Sequence, residues 1–135
     1  MIWNKKKSKK HKYNAKKIII DGITFDSTRE GRMYSMLKKF NIPFERQVKF
    51  ELQPKFRCPD DNGIRSIYSV IDFRVPYKEG FLYIDPKGII TPDAAIKFKM
   101  LKYKLKQQGN RDRVFLPSTN KEVDDLVIKI SNQLI

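Results

Sequence analysis

Histidine and cysteine are almost missing from this chain, with one of each in 135 residues, His11 and Cys58. A single cysteine allows no intrachain disulfide and no Cys-rich zinc site. It fits a protein kept in a reducing cytoplasm. A single histidine inside a lysine run reads as a solvated side chain. It excludes a Ser-His-Asp triad, a histidine-metal nuclease and a zinc deaminase, each of which needs histidines the chain lacks. Long apolar runs are missing too. The basic N-terminus is not followed by an apolar signal segment, and no run approaches the roughly 18 residues of a membrane span. The expectation is a protein neither secreted nor membrane-embedded.

Acids are also scarce. Lysine and arginine number 29 against 15 aspartates and glutamates, a formal charge of +14. Such an excess says little about fold and much about polyanionic partners. The opening "MIWNKKKSKKHKYNAKK" holds eight lysines (Lys5, Lys6, Lys7, Lys9, Lys10, Lys12, Lys16, Lys17) and no acid. A like-charge block of this kind reads as an interaction arm, here one that follows a phosphate backbone. Residues 18–135 read as one domain. Their 40% hydrophobic content, taken over the whole chain, suits one core and not two.

The periodicities predict an α/β fold in the order α-β-β-β-α-β-α, a mixed sheet flanked by helices. The first helix follows Ser27, with Glu30 at capping-box spacing and Met33, Met36, Leu37 and Phe40 as its apolar stripe. In the next segment Phe44, Val48, Phe50 and Leu52 alternate with Glu45, Gln47, Lys49 and Glu51. "CPDDNG" is a turn, and "SIYSVIDFRV" and "FLYIDPK" are strands separated by "PYKEG". A second helix starts at Thr91-Pro92 and is apolar on two sides. Ala94, Phe98, Leu101 and Leu105 face the sheet, while Ile96, Met100 and Tyr103 await a partner subunit or the closing helix. "DRVFLP" reads as a short buried strand. The closing helix, capped by Thr119 with Glu122, has Val123, Leu126, Val127, Ile130 and Leu134 as its stripe.

Within the strand-like centre, two aspartates interrupt apolar runs, and a lysine follows the second at i+2. If the hairpin turns on Lys78-Glu79, Tyr77 faces Gly80, so Asp72 faces Asp85 and Val70 faces Lys87. Facing side chains lie roughly 4.5–5.5 Å apart at Cβ, where two like charges repel. A divalent cation between them offsets that repulsion. Glu30, seven residues before Leu37, lies on the core-facing stripe of the first helix and can add a third acid besides capping. Hard oxygen ligands without histidine favour Mg²⁺, or Mn²⁺, over zinc. An acidic metal site on a basic protein points to phosphodiester chemistry on nucleic acid.

The segments "STREGRMYSML", "YSVIDF" and "YIDPKG" resemble the PD-(D/E)XK nuclease pattern, an acid, a spacer and an acid-x-Lys on adjacent strands. With "KYNAKKIIIDGITFDSTREGRMYSML", "ELQPKF" and "DPKGIITPD", the chain is similar to phage-encoded endonucleases of the Holliday junction resolvase type, related to endonuclease I. The resemblance implies a restriction-endonuclease-like core, with Asp72 and Asp85 binding the metal. It further implies Glu30 as a ligand directly or through water, the Pro86 carbonyl as another, and Lys87 acting on the attacking water and the scissile phosphate. Hydrolysis of this kind leaves a 5′-phosphate and a 3′-hydroxyl. Arg29, Arg32, Lys97, Lys99, Lys102 and Lys106 join the arm lysines as expected phosphate contacts. The implied partner is branched DNA, the implied assembly a homodimer with two active sites, and the implied location the host cytoplasm.

One residue departs from the pattern. Pro86 stands where such families place an apolar residue with a free N–H, and proline removes a ladder hydrogen bond. Two further readings stay open on the sequence: a nuclease of the same superfamily with another substrate, of the transposon-end or nicking type, and a catalytically inactive DNA-binding protein.

Overall fold

The structure, a computed structural model, describes residues 16–109 and 111–135. Its elements run β1 (Ile18–Ile20), β2 (Ile23–Phe25), α1 (Thr28–Lys39), β3 (Glu45–Gln53), β4 (Ile67–Tyr77), β5 (Gly80–Ile84), α2 (Pro92–Gln107), β6 (Arg113–Phe115) and α3 (Asn120–Ser131). From α1 onward this is the expected α-β-β-β-α-β-α order. The fold is α/β, a four-stranded mixed sheet in the order β3-β4-β5-β6 with helices on both faces.

Local chemistry sets the helix starts. Ser27, Thr91 and Thr119 each accept the N–H three residues on, from Glu30, Ala94 and Glu122. At α1 only half of a capping box forms: Ser27 accepts from the Glu30 N–H, and the Glu30 carboxylate makes no return bond to Ser27. At α3 the Glu122 carboxylate accepts from the Ser118 N–H at 2.8 Å and from the Ser118 hydroxyl at 3.1 Å. Asn41, with φ +56, ends α1 in the left-handed conformation that asparagine tolerates.

The small β1–β2 hairpin was not expected from the sequence. Asp21 (φ +53) and Gly22 (φ +77) make its turn, the Asp-Gly pair that tight hairpins favour. It lies on α1 at Gly31, where an added Cβ would come within 3.0 Å of the Ile20 side chain.

The sheet separates two apolar clusters. On β5, Leu82 and Ile84 face one way and Tyr83 the other, in regular alternation. Leu82 and Ile84 join Phe73, Val75, Met33, Leu37, Val123 and Val127 beneath α1 and α3. Tyr83 joins Leu52, Ile71, Phe98, Leu101 and Leu105 beneath α2. Burying one leucine such as Leu101 stabilises by about 1.5–3 kcal/mol.

Several expected core positions prove exposed. Phe40 caps α1 at the surface, and Leu134 lies beyond the end of α3. Tyr34 is buried instead, its hydroxyl donating to Asp21 at 3.0 Å. The strand β6 is a half-buried parallel edge and not a buried strand. The outer side of α2 is not covered by the closing helix, since α3 packs on α1; Ile96 is 59% and Tyr103 63% exposed. No helix among the described residues is long and apolar enough to cross a membrane.

Candidate active site

The β4–β5 hairpin has the register its turn predicts, from Tyr77↔Gly80 to Phe73↔Ile84, with Lys78 at φ +54. The ladder then stops, one pair before Asp72 and Asp85. The expected pairing of Val70 with Lys87 is not made, and Val70 pairs with Lys49 of β3. Pro86 supplies the reason. Asp85 and Lys87 donate their N–H groups to Phe115 and Pro117 on the β6 side, both at 3.0 Å. The intervening residue therefore points toward β4, and being proline it has no N–H to give. The proline neither bulges β5 nor leaves a donor unpaired, but lets β4 diverge from it.

Asp72 sits where β4 changes face. Phe73 packs beneath α1 and α3, while Ile71, two residues earlier, packs beneath α2. A regular strand would place both on one side. Opposite, β3 is broken at Gln47, which has φ +55 and is absent from an otherwise continuous register between Arg46↔Phe73 and Val48↔Ile71. By alternation the Asp72 N–H should face β3. It donates instead to Asp85 Oδ1, at 3.0 Å. The Asp85 carboxylate thus fills the gap between diverging strands.

Asp85 is 2% exposed, and its Oδ2 lies 3.3 Å from Lys87 Nζ. Asp72 Oδ1 accepts from Gln47 Nε2 at 3.2 Å, while Asp72 Oδ2 is buried with no partner. Burial first, then the adjoining Asp85 carboxylate and the negative charge of Glu30, push the Asp72 carboxyl up to about 9. Glu30 is also raised, by burial first and then by Asp26 and Asp85, with Lys87 and the Asp26 N–H opposing. Asp72, Asp85 and Lys87 therefore meet where β4 and β5 part, and Glu30 of α1 lies near enough to feel the charges of Asp85 and Lys87.

A cavity of about 160 Å³ adjoins the pair and reaches two of the four, Glu30 and Lys87; Asp26, Ser27, Arg29, Pro86, Gly88 and Ile89 complete its lining. Arg29 lies along its rim, so close to Gly88 that a Cβ there would collide with the guanidinium. A larger concavity, about 520 Å³ near Phe56 and Ile64, shares no residue with this cluster.

The donor set is all oxygen, and a partnerless buried carboxylate oxygen beside a second carboxylate fits a small divalent cation. Among the described residues no three His, Cys, Asp or Glu side chains already converge as a cage. What is preformed is a pair. Glu30, Asp72 and Asp85, with the Pro86 carbonyl, are the groups that can hold such an ion.

The expected phosphate contacts are scattered. Lys97, Lys99, Lys102 and Lys106 are exposed along α2, and Lys16 and Lys17 are exposed before β1. Lys5, Lys6, Lys7, Lys9, Lys10 and Lys12 lie outside the described residues. Arg32 is engaged elsewhere, in a two-bond fork to Asp124 of α3 at 2.8 and 2.7 Å. Sequence reasoning missed Gln47, whose place in strict alternation gave it a solvent face and nothing more.

The fold and site define an α/β protein that sets a buried carboxylate, Asp85, beside a half-buried one, Asp72, and a partly exposed lysine where the two middle strands of its sheet part. The chain belongs to the family described as "protein of unknown function" (DUF1064), whose model matches residues 10–114. No curated protein and no solved structure matches it.

Proposed function

We propose that the protein is a divalent-metal-dependent DNA endonuclease of the PD-(D/E)XK type, acting on branched DNA such as four-way junctions. The observation that carries the reading is the Asp72–Asp85 pair, one carboxylate buried and the other half-buried, with Lys87 against Asp85 and Glu30 nearby. A structural role explains it poorly. Two facing carboxylates in a low-dielectric site are destabilising unless a proton or a cation lies between them.

When bound, Mg²⁺ or Mn²⁺ lowers the pKa of a coordinated water and offsets charge on the phosphate. Asp72 and Asp85 hold that ion, with Glu30 a third ligand directly or through water. Asp85 takes its position from three directions, through the Asp72 N–H, the Lys87 ammonium and its own backbone bond to Phe115. Lys87 orients the attacking water beside Asp85 and faces the scissile phosphate with positive charge. Arg29 on the cavity rim offers a second cation to the same phosphate. Hydrolysis leaves a 5′-phosphate and a 3′-hydroxyl.

The α2 lysines and the lysine-rich arm supply phosphate contacts that carry no base information, which suits selection by DNA shape. Paired cuts in a junction call for two sites, hence a homodimer, and the open Ile96–Tyr103 side of α2 is the surface such a dimer would use. In this reading the protein acts in the cytoplasm, that of the host if a phage encodes it.

The test is cleavage of a labelled four-way junction, a flap and a linear duplex with Mg²⁺, beside Asp72→Asn and Lys87→Ala. Paired cuts in the junction, lost in both variants while binding persists, support the proposal. Cuts in every substrate keep a nuclease of the nicking or transposon-end kind and remove the junction. Because the carboxylates form a pair and not a cage, binding without any metal-dependent cut is the outcome that favours an inactive DNA-binding protein.

A further inference from the structure

We propose that Gln47 is a positioning residue for the Asp72 carboxylate, made so by a break in β3 that serves the site and not the sheet. The inference rests on the metal-site reading above and deepens it. Its first support is the backbone. Gln47 holds φ +55 inside a nine-residue strand, at its third position. A non-glycine residue there is strained, and such strain persists only where its surroundings enforce it.

The second support is what the break accomplishes. With the Gln47–Asp72 pairing absent, the Asp72 N–H is free to turn to Asp85 Oδ1. The Gln47 amide takes up Asp72 Oδ1 from the other side. A single chain of interactions then runs Gln47–Asp72–Asp85–Lys87 and leaves one oxygen unserved, Asp72 Oδ2. An amide donor on one carboxylate oxygen fixes the plane of the group and so the direction in which its other oxygen points. Groups that hold a metal-binding carboxylate in this way typically account for 10–100-fold in metal affinity.

The experiment compares wild type with Gln47→Gly and Gln47→Asn. Both replacements accept a positive φ, so neither strains the backbone further. Glycine removes the amide, and asparagine draws it back by one carbon. Thermal unfolding in chelator is expected to give a Tm unchanged or raised for Gln47→Gly. Calorimetric titration with Mn²⁺ is expected to give a Kd weakened about tenfold in both variants. On DNA, kcat should fall with KM unchanged.

Variants that bind Mn²⁺ as wild type does overturn the inference alone. A wild type that binds no Mn²⁺ overturns the site reading and the inference together, so the two failures are told apart by one control. Should one variant fail to fold, the other carries the comparison.

Discussion

Replacing Asp72 by asparagine should stabilise the metal-free protein, by an amount that depends on pH in a stated direction. The Asp72 carboxyl, ordinarily near 3.8, is held at about 9. Above pH 4 the unfolded chain releases this proton and the folded chain keeps it. The folded state then binds more protons, so unfolding free energy falls as pH rises. Each unit is worth about 1.36 kcal/mol, so the roughly three units from pH 4 to pH 7 set an upper bound of about 4 kcal/mol. Water at the cavity mouth screens the pair and brings the expected loss to about 2–4 kcal/mol. Asp72→Asn keeps the shape and does not titrate. Glu30, raised in the same sense, contributes equally to both proteins and cancels in the difference.

The assay is urea unfolding in chelator between pH 4 and pH 8. The two curves should nearly meet at pH 4 and part steadily above it. Added Mg²⁺ should close the gap by stabilising wild type, by about 2.7 kcal/mol at a hundredfold excess over Kd, and leave the variant unmoved. Parallel curves across the range would refute the argument that burial beside Asp85 holds the Asp72 carboxyl protonated.

Other perturbations test other parts of the description. Gly88→Ala should displace the Arg29 guanidinium without touching Asp85 or Lys87, lowering cleavage several-fold while circular dichroism and Tm hold. Pro86→Ala should lower stability by about 1–3 kcal/mol and leave activity as it was, because the restored N–H lies at a buried position with no strand to meet. Leu101→Ala, at a fully buried site beneath α2, should cost about 2–5 kcal/mol in urea unfolding. Deleting residues 1–17 should flatten the salt dependence of DNA binding, by about 0.9 in slope for each phosphate the arm had neutralised.

What could be read from the sequence was what local chemistry decides. Ser27, Thr91 and Thr119 cap their helices because a hydroxyl and an N–H three residues on need no distant partner. The β4–β5 register followed from one turn, and with it the meeting of Asp72 and Asp85. The Asp21-Gly22 hairpin carried an equally local signal and went unused. What stayed hidden needed information from far along the chain. Periodicity gives Tyr34 no reason to be buried, since its partner Asp21 belongs to the added hairpin. The polar face assigned to Gln47 presumed an unbroken strand. The change of face between Ile71 and Phe73 exists only because β3 and β5 both release β4 at the same residue. The outer side of α2 was rightly seen as apolar, yet nothing in its own period says that α3 would choose α1.

The break at Gln47 has a consequence for the molecule's behaviour among its own copies. The strand β3 is an edge of the sheet, nine residues long, and a straight edge of that length is a template for strand addition by a neighbour. A residue at φ +55 third from its start interrupts the row of free N–H and C=O groups and shortens the unbroken stretch to six residues. The distortion that opens room for two carboxylates therefore also blunts the edge most exposed to aggregation. A sequence change that straightened β3 would spoil the site and uncover the template in a single step.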